Sequence, residues 1–341
     1  MTRLRLGIVG AGTVGELHAA AAASLADRVV VTAVVDPVTS AAERLAGSFG
    51  AHALSSHAEL AESGLVDAVV VGSPHVEHRR QVLELTSAGL PVLVEKPMAL
   101  TVADAEAMVT SARAHGVPLG VGLLQRHLPT VRAARRLLVD GAIGTPRLVV
   151  DRRGGRYEPG TRPAWFLDAR SGPGGIITNL GTHCVDKLFQ LIGQTSATVR
   201  TAWSRSHDVV TDAAATLELH GVVANLVLTG TGLPQADVTE VVGDEGALHV
   251  DRTSGVTLYR NGQAVRTEPS PPDDIAIAFV DQLDQFVDAV LAGADPPADG
   301  AYGVLVVRAV AAIERAAGVQ LQQRAVSTAR GPDRGGAASP L

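Results

Sequence analysis

Cysteine is almost missing from this 341-residue chain, in which Cys184 stands alone. One thiol closes no internal disulfide, which removes the cystine-stapled scaffolds of secreted proteins and fits a reducing, cytoplasmic setting. Aromatic residues amount to only 3%, so the core has to be built from Ala, Val and Leu. No uninterrupted apolar run approaches the ~18 residues of a membrane-spanning helix. The first residues lead straight into a strand pattern, without the apolar core and small-residue cleavage site of a signal peptide. A soluble protein is expected. Positive charge is not in excess either. A net charge of -6 offers no attractive field to nucleic acid or anionic lipid, which leaves a small molecule as the expected partner.

Lysine is the most informative scarcity. Of the 29 Lys plus Arg only two are lysine, Lys96 and Lys187, so 27 are arginine. Under a bias that strong an indifferent surface lysine drifts to arginine. Lys96, in Glu95-Lys96-Pro97 at the end of an apolar run, has reason to persist if its ammonium does what guanidinium does not: change its proton affinity with burial, hand over a proton, or point at one oxygen. The competing reading is a strand-end lysine paired with Glu95.

What is present in abundance is apolar: 46% hydrophobic against 19% charged, the balance of a well-packed globular protein. The length predicts two domains. Strand-like runs over residues 4–9, 29–35, 67–72, 91–94 and 118–122 alternate with helical segments over 13–25, 77–88 and 102–115. That rhythm predicts parallel β-α-β units, a doubly wound Rossmann-type α/β domain over residues 1–125. Beyond it come a helix over 130–138, a strand over 147–152 and a Gly/Pro/Arg-rich loop. Consecutive strands over 196–260 and helices over 275–291 and 302–317 follow. This predicts an α+β domain over 126–324 with an open, mainly antiparallel sheet. Residues 325–341 read as a frayed tail.

Gly10-Ala11-Gly12-Thr13-Val14-Gly15 falls where the first strand ends and a helix begins, the context in which G-x-G-x-x-G signals a dinucleotide. Gly10 permits the tight turn, Gly12 the approach of a pyrophosphate and Gly15 the packing of helix on strand, with Thr13 and Val14 opening a helix whose N-terminus attracts phosphate. Asp36, at the end of the second strand and 21 residues beyond Gly15, is placed to accept hydrogen bonds from ribose hydroxyls and to repel a 2′-phosphate. NAD is therefore the expected cofactor, although Arg44 could reach a 2′-phosphate and Asp36 could instead cap the next helix. Ser73-Pro74-His75 occupies the carboxyl edge of the sheet. Ser73 either walls the nicotinamide side or caps the helix that follows.

Asn179, His183 and Asp186, at i, i+4 and i+7 of a helical pattern over 177–192, are expected on one face. His183, an imidazole near neutral pKa, can take a proton from a hydroxyl as hydride leaves a carbinol. The plainer reading is a satisfied core histidine. No metal is expected, since Cys184 adjoins His183 on another side of the helix and has no partner thiol. No G-x-S-x-G elbow points to a serine hydrolase.

Taken together, the chain resembles the family of glucose-fructose oxidoreductase, inositol dehydrogenase and related sugar oxidoreductases. The likeness rests on Gly10 to Gly15, on Ser73-Pro74-His75 with His78, on Glu95-Lys96-Pro97 and on Gly174-Gly175 through His183 to Asp186. Val241-Val242-Gly243-Asp244-Glu245-Gly246 and Phe286-Val287-Asp288-Ala289-Val290 add to it. The resemblance implies a Rossmann domain, a second domain whose sheet forms a homodimer or homotetramer contact, and NAD held by residues that include Ser73, Pro74, His78, Glu95 and Lys96. It also implies that Lys96 hydrogen-bonds the reacting oxygen while His183 acts as acid/base, with Arg126, Arg162, Trp165, Asn179 and His183 on the substrate side. Asn179 departs from the pattern. Inositol-dehydrogenase-like members carry Asp there, and an amide cannot accept the histidine's proton, which leaves Asp186 or water as relay.

Five arginines over 151–170, interleaved with Tyr157, Trp165 and Phe166, form either a sugar- or phosphate-binding loop or a solvated run. The leading expectation is an NAD-dependent dehydrogenase of a sugar-like secondary alcohol. A redox-neutral NAD-dependent glycosidase and a non-catalytic NAD-dependent sugar sensor remain as alternatives.

Overall fold

The structure, a computed structural model, describes residues 3–158, 160–161, 167–168, 175–206, 208–230 and 237–319. Its first half alternates β1 (Leu4–Val9), α1 (Thr13–Ser24), β2 (Val29–Val35), α2 (Thr39–Gly47), β3 (His52–Leu54) and α3 (His57–Glu62). It continues with β4 (Ala68–Val71), α4 (His78–Ser87), β5 (Val92–Glu95), α5 (Val102–His115) and β6 (Leu119–Gly122). β4 and β5 bury every side chain, as strands covered by helices on both faces must. Each fully buried valine of β4 contributes about 1.5–3 kcal/mol. All six strands run parallel in the order β3-β2-β1-β4-β5-β6. The order reverses between β1 and β4, which opens a crevice beyond the carboxyl ends of those strands. Local signals set the helix limits. Thr101 accepts the Asp104 N–H at the start of α5, and Gly116 ends that helix at a φ of 64°. The sequence pattern names no element over residues 39–62, where α2, β3 and α3 form, because β3 is only three residues long and shows no alternation.

The second half begins with a 3-10 turn (Leu124–His127), α6 (Pro129–Val139) and β7 (Pro146–Gly154). A π-helical turn (Ile177–Gly181) runs directly into α7 (Thr182–Ile192). Then come β8 (Thr198–Ser206), β9 (Val210–Leu219), β10 (Val222–Thr229), β11 (Asp237–Gly243), β12 (Ala247–Asp251), β13 (Gly255–Arg260) and β14 (Gln263–Glu268), followed by α8 (Asp274–Ala292) and α9 (Gly300–Ala316). The eight strands form one sheet, β14-β13-β12-β11-β7-β10-β9-β8. It is antiparallel except where β7 meets β10. β10 alternates buried and exposed residues, as a sheet with one covered face requires. Helices cover the inner face, and the strand registers align Trp203, Val223, Val227, Val242 and Tyr259 on the outer one, all exposed.

The last two helices return to the first sheet. Arg28, just before β2, pairs with Asp284 and Asp288 of α8, and the Val121 N–H of β6 donates to the Ala298 carbonyl ahead of α9 at 2.8 Å. These contacts bring the inner face of the second sheet to the carboxyl edge of the first.

Candidate active site

The glycine turn after β1 is shaped by close approach. A Cβ on Gly10, whose φ is 100°, would lie 2.9 Å from the Gly72 carbonyl, and one on Gly15 would lie 2.0 Å from the Gly10 oxygen. Gly12 instead faces open space. It is the N-cap of α1 and supplies no side-chain cap, whereas Thr101 and Asp299 cap α5 and α9 with their own oxygens. The amides of the first turn of α1, which Thr13 and Val14 open, are thus left to an anion. Asp36 is half-buried and accepts the Ala11 N–H at 2.8 Å on one oxygen and the Val38 N–H at 2.9 Å on the other, with lone pairs left for ribose hydroxyls. Arg44, the cation nearest that corner in the sequence reading, donates to Glu16 at 2.7 Å. The cradle fits a dinucleotide, with pyrophosphate over Gly12 and ribose at Asp36.

The loop after β4 walls the same crevice. Ser73 Oγ donates to Gln81 Oε1 at 2.5 Å, while α4 starts from Glu77 with no side-chain cap, so the capping role for Ser73 is not realised. Pro74 stands exposed at the rim. The buried His78 places its ring nitrogens 2.9 Å from the Ser73 carbonyl and 3.0 Å from the Pro97 carbonyl, joining this loop to the turn that carries Lys96. Burial also holds His78 below the ordinary imidazole range. His75 is held well below it, by burial and by the neighbouring His78 and Lys96.

Glu95 does not pair with the Lys96 amine. Its carboxylate is buried, 2.9 Å from His18 Nε2 on α1, and accepts the backbone N–H of Lys96 at 3.1 Å. Gly122 makes room for it, since a Cβ there would lie 2.7 Å from Glu95 Oε1. Lys96 Nζ is left to reach across to the second domain, where it donates to Asn179 Oδ1 at 2.5 Å.

Asn179 sits in the π-turn that opens the α7 segment. Its amide nitrogen donates to the hydroxyl of buried Tyr157 at 2.6 Å, so both ends of the side chain are engaged. His183 follows in the first turn of α7, half-buried, with Nδ1 buried without a hydrogen-bond partner among the described residues. Burial first, then the charges of Lys96, Arg153 and Lys187, hold the imidazole well below its ordinary range. These effects favour the neutral ring.

Other sequence expectations meet different geometry. Asp186 does not serve His183. Its Oδ1 accepts from Arg126 at 2.5 Å and from the Tyr302 hydroxyl at 2.9 Å, on the side of α7 that meets α9. Arg126 belongs to the same cluster, also donating to the Pro297 carbonyl at 3.1 Å and lying 4.3 Å over the Tyr302 ring. Arg162, Trp165 and the expected tail over 325–341 lie outside the described residues. The sequence reading missed two groups, His18 and Glu314. His18 is one of eleven histidines, and nothing local marks its reach to Glu95. Glu314 accepts the Thr178 hydroxyl at 2.5 Å beneath the π-turn.

Fold and site together define a two-domain, dinucleotide-binding oxidoreductase. Residues 4–123 match the oxidoreductase family with an NAD-binding Rossmann fold, and residues 131–249 match the GFO/IDH/MocA C-terminal domain. The chain belongs to the GFO/IDH/MocA family, and its first domain is NAD-binding. It is 30% identical over 305 residues to the rhizopine catabolism protein MocA of Rhizobium meliloti, covering 86% of this chain and 89% of that protein. To inositol 2-dehydrogenase of Rubrobacter xylanophilus it is 29% identical, covering 89% of each. Among solved structures, GenD2 from gentamicin A biosynthesis in complex with NAD superposes with a TM-score of 0.83 at 27% identity, over 93% of this chain and 95% of that one.

Proposed function

We propose that the protein is an NAD-dependent dehydrogenase acting on a secondary alcohol of a sugar, a cyclitol or the sugar moiety of a glycoside. The observation that carries this reading is the hydrogen bond from Lys96 Nζ, at the carboxyl edge of the cofactor sheet, to Asn179 Oδ1 of the second domain, four residues before His183. When bound, NAD supplies the hydride acceptor. Lys96 Nζ, turned away from Glu95, donates to the substrate oxygen and stabilises the charge that develops there. His183 takes the hydroxyl proton as hydride leaves the carbinol carbon. Asn179, held by Tyr157, fixes the Lys96 amine and takes no proton, and with Asp186 bound to Arg126 and Tyr302 the proton leaves His183 to water. Asp36 favours NAD over NADP. The exposed apolar residues on the outer face of the eight-stranded sheet support a homo-oligomer.

Two measurements test the reading. Purified enzyme with NAD is screened against cyclitols, free sugars, nucleotide-linked sugars and aminoglycosides by NADH absorbance. Lys96→Ala and His183→Ala then lower turnover on the active compound by roughly 10²–10⁴-fold while NAD binding, followed by fluorescence, is unchanged. Full activity in both variants refutes the assignment, and sugar release without NADH points to a redox-neutral glycosidase instead.

A further inference from the structure

A cavity of about 570 Å³ opens where α6, α7, α8 and the first turn of α9 meet, and no step of the proposed chemistry uses it. No residue of the dinucleotide cradle lines it, nor do Lys96, Asn179 and His183. Its walls are basic. α6 buries Val131, Ala134 and Leu137 in the core and presents Arg132, Arg135 and Arg136 to the cavity. Arg126 adds to the wall, its side chain only 8% exposed and its Nε buried without a hydrogen-bond partner among the described residues. Against these four arginines stand two carboxylates, Asp140 and Asp281. Asp281 is shared, accepting from Arg132 at 3.0 Å on one oxygen while the other lies 2.6 Å from His127 Nδ1. Arg136 reaches away to Glu268 at 2.6 Å, a carboxylate that Arg266 also meets at 2.7 Å. Arg135 meets no carboxylate among the described residues and donates to the neutral Gln190 amide at 2.7 Å.

Such a wall is unfavourable for the helix that carries it. Like charges three and four residues apart repel, and Arg132 stands in that relation to both Arg135 and Arg136. Arg132 also lies in the first turn of α6, where the helix dipole disfavours a cation. A bound anion removes both penalties, and a basic concavity in a chain of net charge -6 draws one in. Guanidinium forks match the paired oxygens of a phosphate group. A bare inorganic ion would fill little of the cavity, whose remaining wall holds the amides of Gln190 and Gln285 beside the apolar Val139 and Pro297, surroundings suited to a hydroxylated carbon skeleton. We propose that this cavity is a second ligand site, separate from the dinucleotide cradle, which takes a phosphate ester of a small polyol or sugar, with the phosphate on Arg132, Arg135 and Arg136 and the hydroxyls on the glutamine amides.

The test is isothermal titration calorimetry on the full chain saturated with NAD, so that the cradle is already filled. The probes are glycerol 3-phosphate, glucose 6-phosphate, inorganic phosphate and glucose. At least one ester binds with a stoichiometry of about one and about tenfold or more tighter than inorganic phosphate, and glucose gives no heat. Arg135→Gln and Arg132→Gln each weaken the ester by about tenfold or more. Both side chains are exposed, so the variants keep the fold, which their melting temperatures check. Arg308→Gln removes an arginine as exposed as Arg132, paired with Glu106 on another face, and leaves ester binding unchanged, as does Lys96→Ala. No ester binding up to roughly 10 mM overturns the inference. An equal loss in Arg308→Gln overturns it too, as an effect of overall charge. Inorganic phosphate bound as tightly as the esters reduces the site to an adventitious ion only, and loss in Lys96→Ala moves the ester to the catalytic site; either result refutes the proposal.

Discussion

Replacing Glu314 by Gln should stabilise the protein in alkaline but not in acid solution. Glu314 is 3% exposed on α9, and its only described hydrogen bond is from the Thr178 hydroxyl, one residue before Asn179. Burial raises its pKa from 4.5 to about 7, against the smaller opposing effects of the Thr178 bond and Arg315. The raised value sets the sign. Between pH 4.5 and about 7 the unfolded chain has lost this proton while the folded one keeps it, so stability falls as pH rises through that window and is level above it. At 1.36 kcal/mol per unit, the full cost at pH 8 is about 3 kcal/mol. Gln keeps the acceptor for Thr178 and carries no charge to bury. The variant should therefore melt on the order of 5 °C above the wild type at pH 8 and at the same temperature near pH 4.5, read by calorimetry. An equal gap at both pH values refutes the reasoning, because it would show that burial of the charge is not what separates the two proteins.

The remaining predictions concern the site itself. Gly122→Ala forces a Cβ against the Glu95 carboxylate, which should cost about 1–3 kcal/mol of stability in denaturant titrations and depress turnover through the displaced Lys96 backbone. Asp36→Ala frees the Ala11 and Val38 amides and removes the ribose acceptor, so calorimetric NAD affinity should fall about tenfold or more with less discrimination against NADP. Tyr157→Phe strands the Asn179 amide at a cost of about 1–3 kcal/mol, and it should lower kcat with the KM for NAD unchanged, since the loosened group faces Lys96 and not the cofactor cradle.

The parts of the fold legible in the sequence were those set by local chemistry. Unbroken Val/Ile runs ended by Gly or Pro mark buried parallel strands, and the glycine turn and Asp36 follow from close approach and charge. Scarcity singled out Lys96, but the partner of its amine was not local. Glu95 next to it in sequence is claimed by His18, and Asn179 is brought in by the second domain. Apolar spacing near four residues suits an α-helix and a π-turn alike, so the widened turn at Ile177–Gly181 was not readable, and nothing local marks the reach of Asp186 to Arg126 and Tyr302. Strand direction has no periodic signature either. Alternation in β7 and β10 shows which face is buried and not that the two run parallel.

Lys96 is gripped at both ends, and the grip explains why its placement depends on the whole molecule. Phe279 of α8 meets the His18 ring edge-on at 4.9 Å, His18 holds Glu95, and Glu95 holds the Lys96 backbone. From the other side the π-turn presents Asn179 to the amine. One chain of contacts enters through the helix whose N-terminus forms the dinucleotide cradle, the other through the helix that carries His183. A displacement of either domain by an ångström would break one of them, and an ammonium on a four-carbon stem loses most of its orienting power once it is free to turn. Rigid contact between α1 and α8, reinforced by Arg28 with Asp284 and Asp288, is thus a condition for aiming Lys96 and not only for holding the domains together.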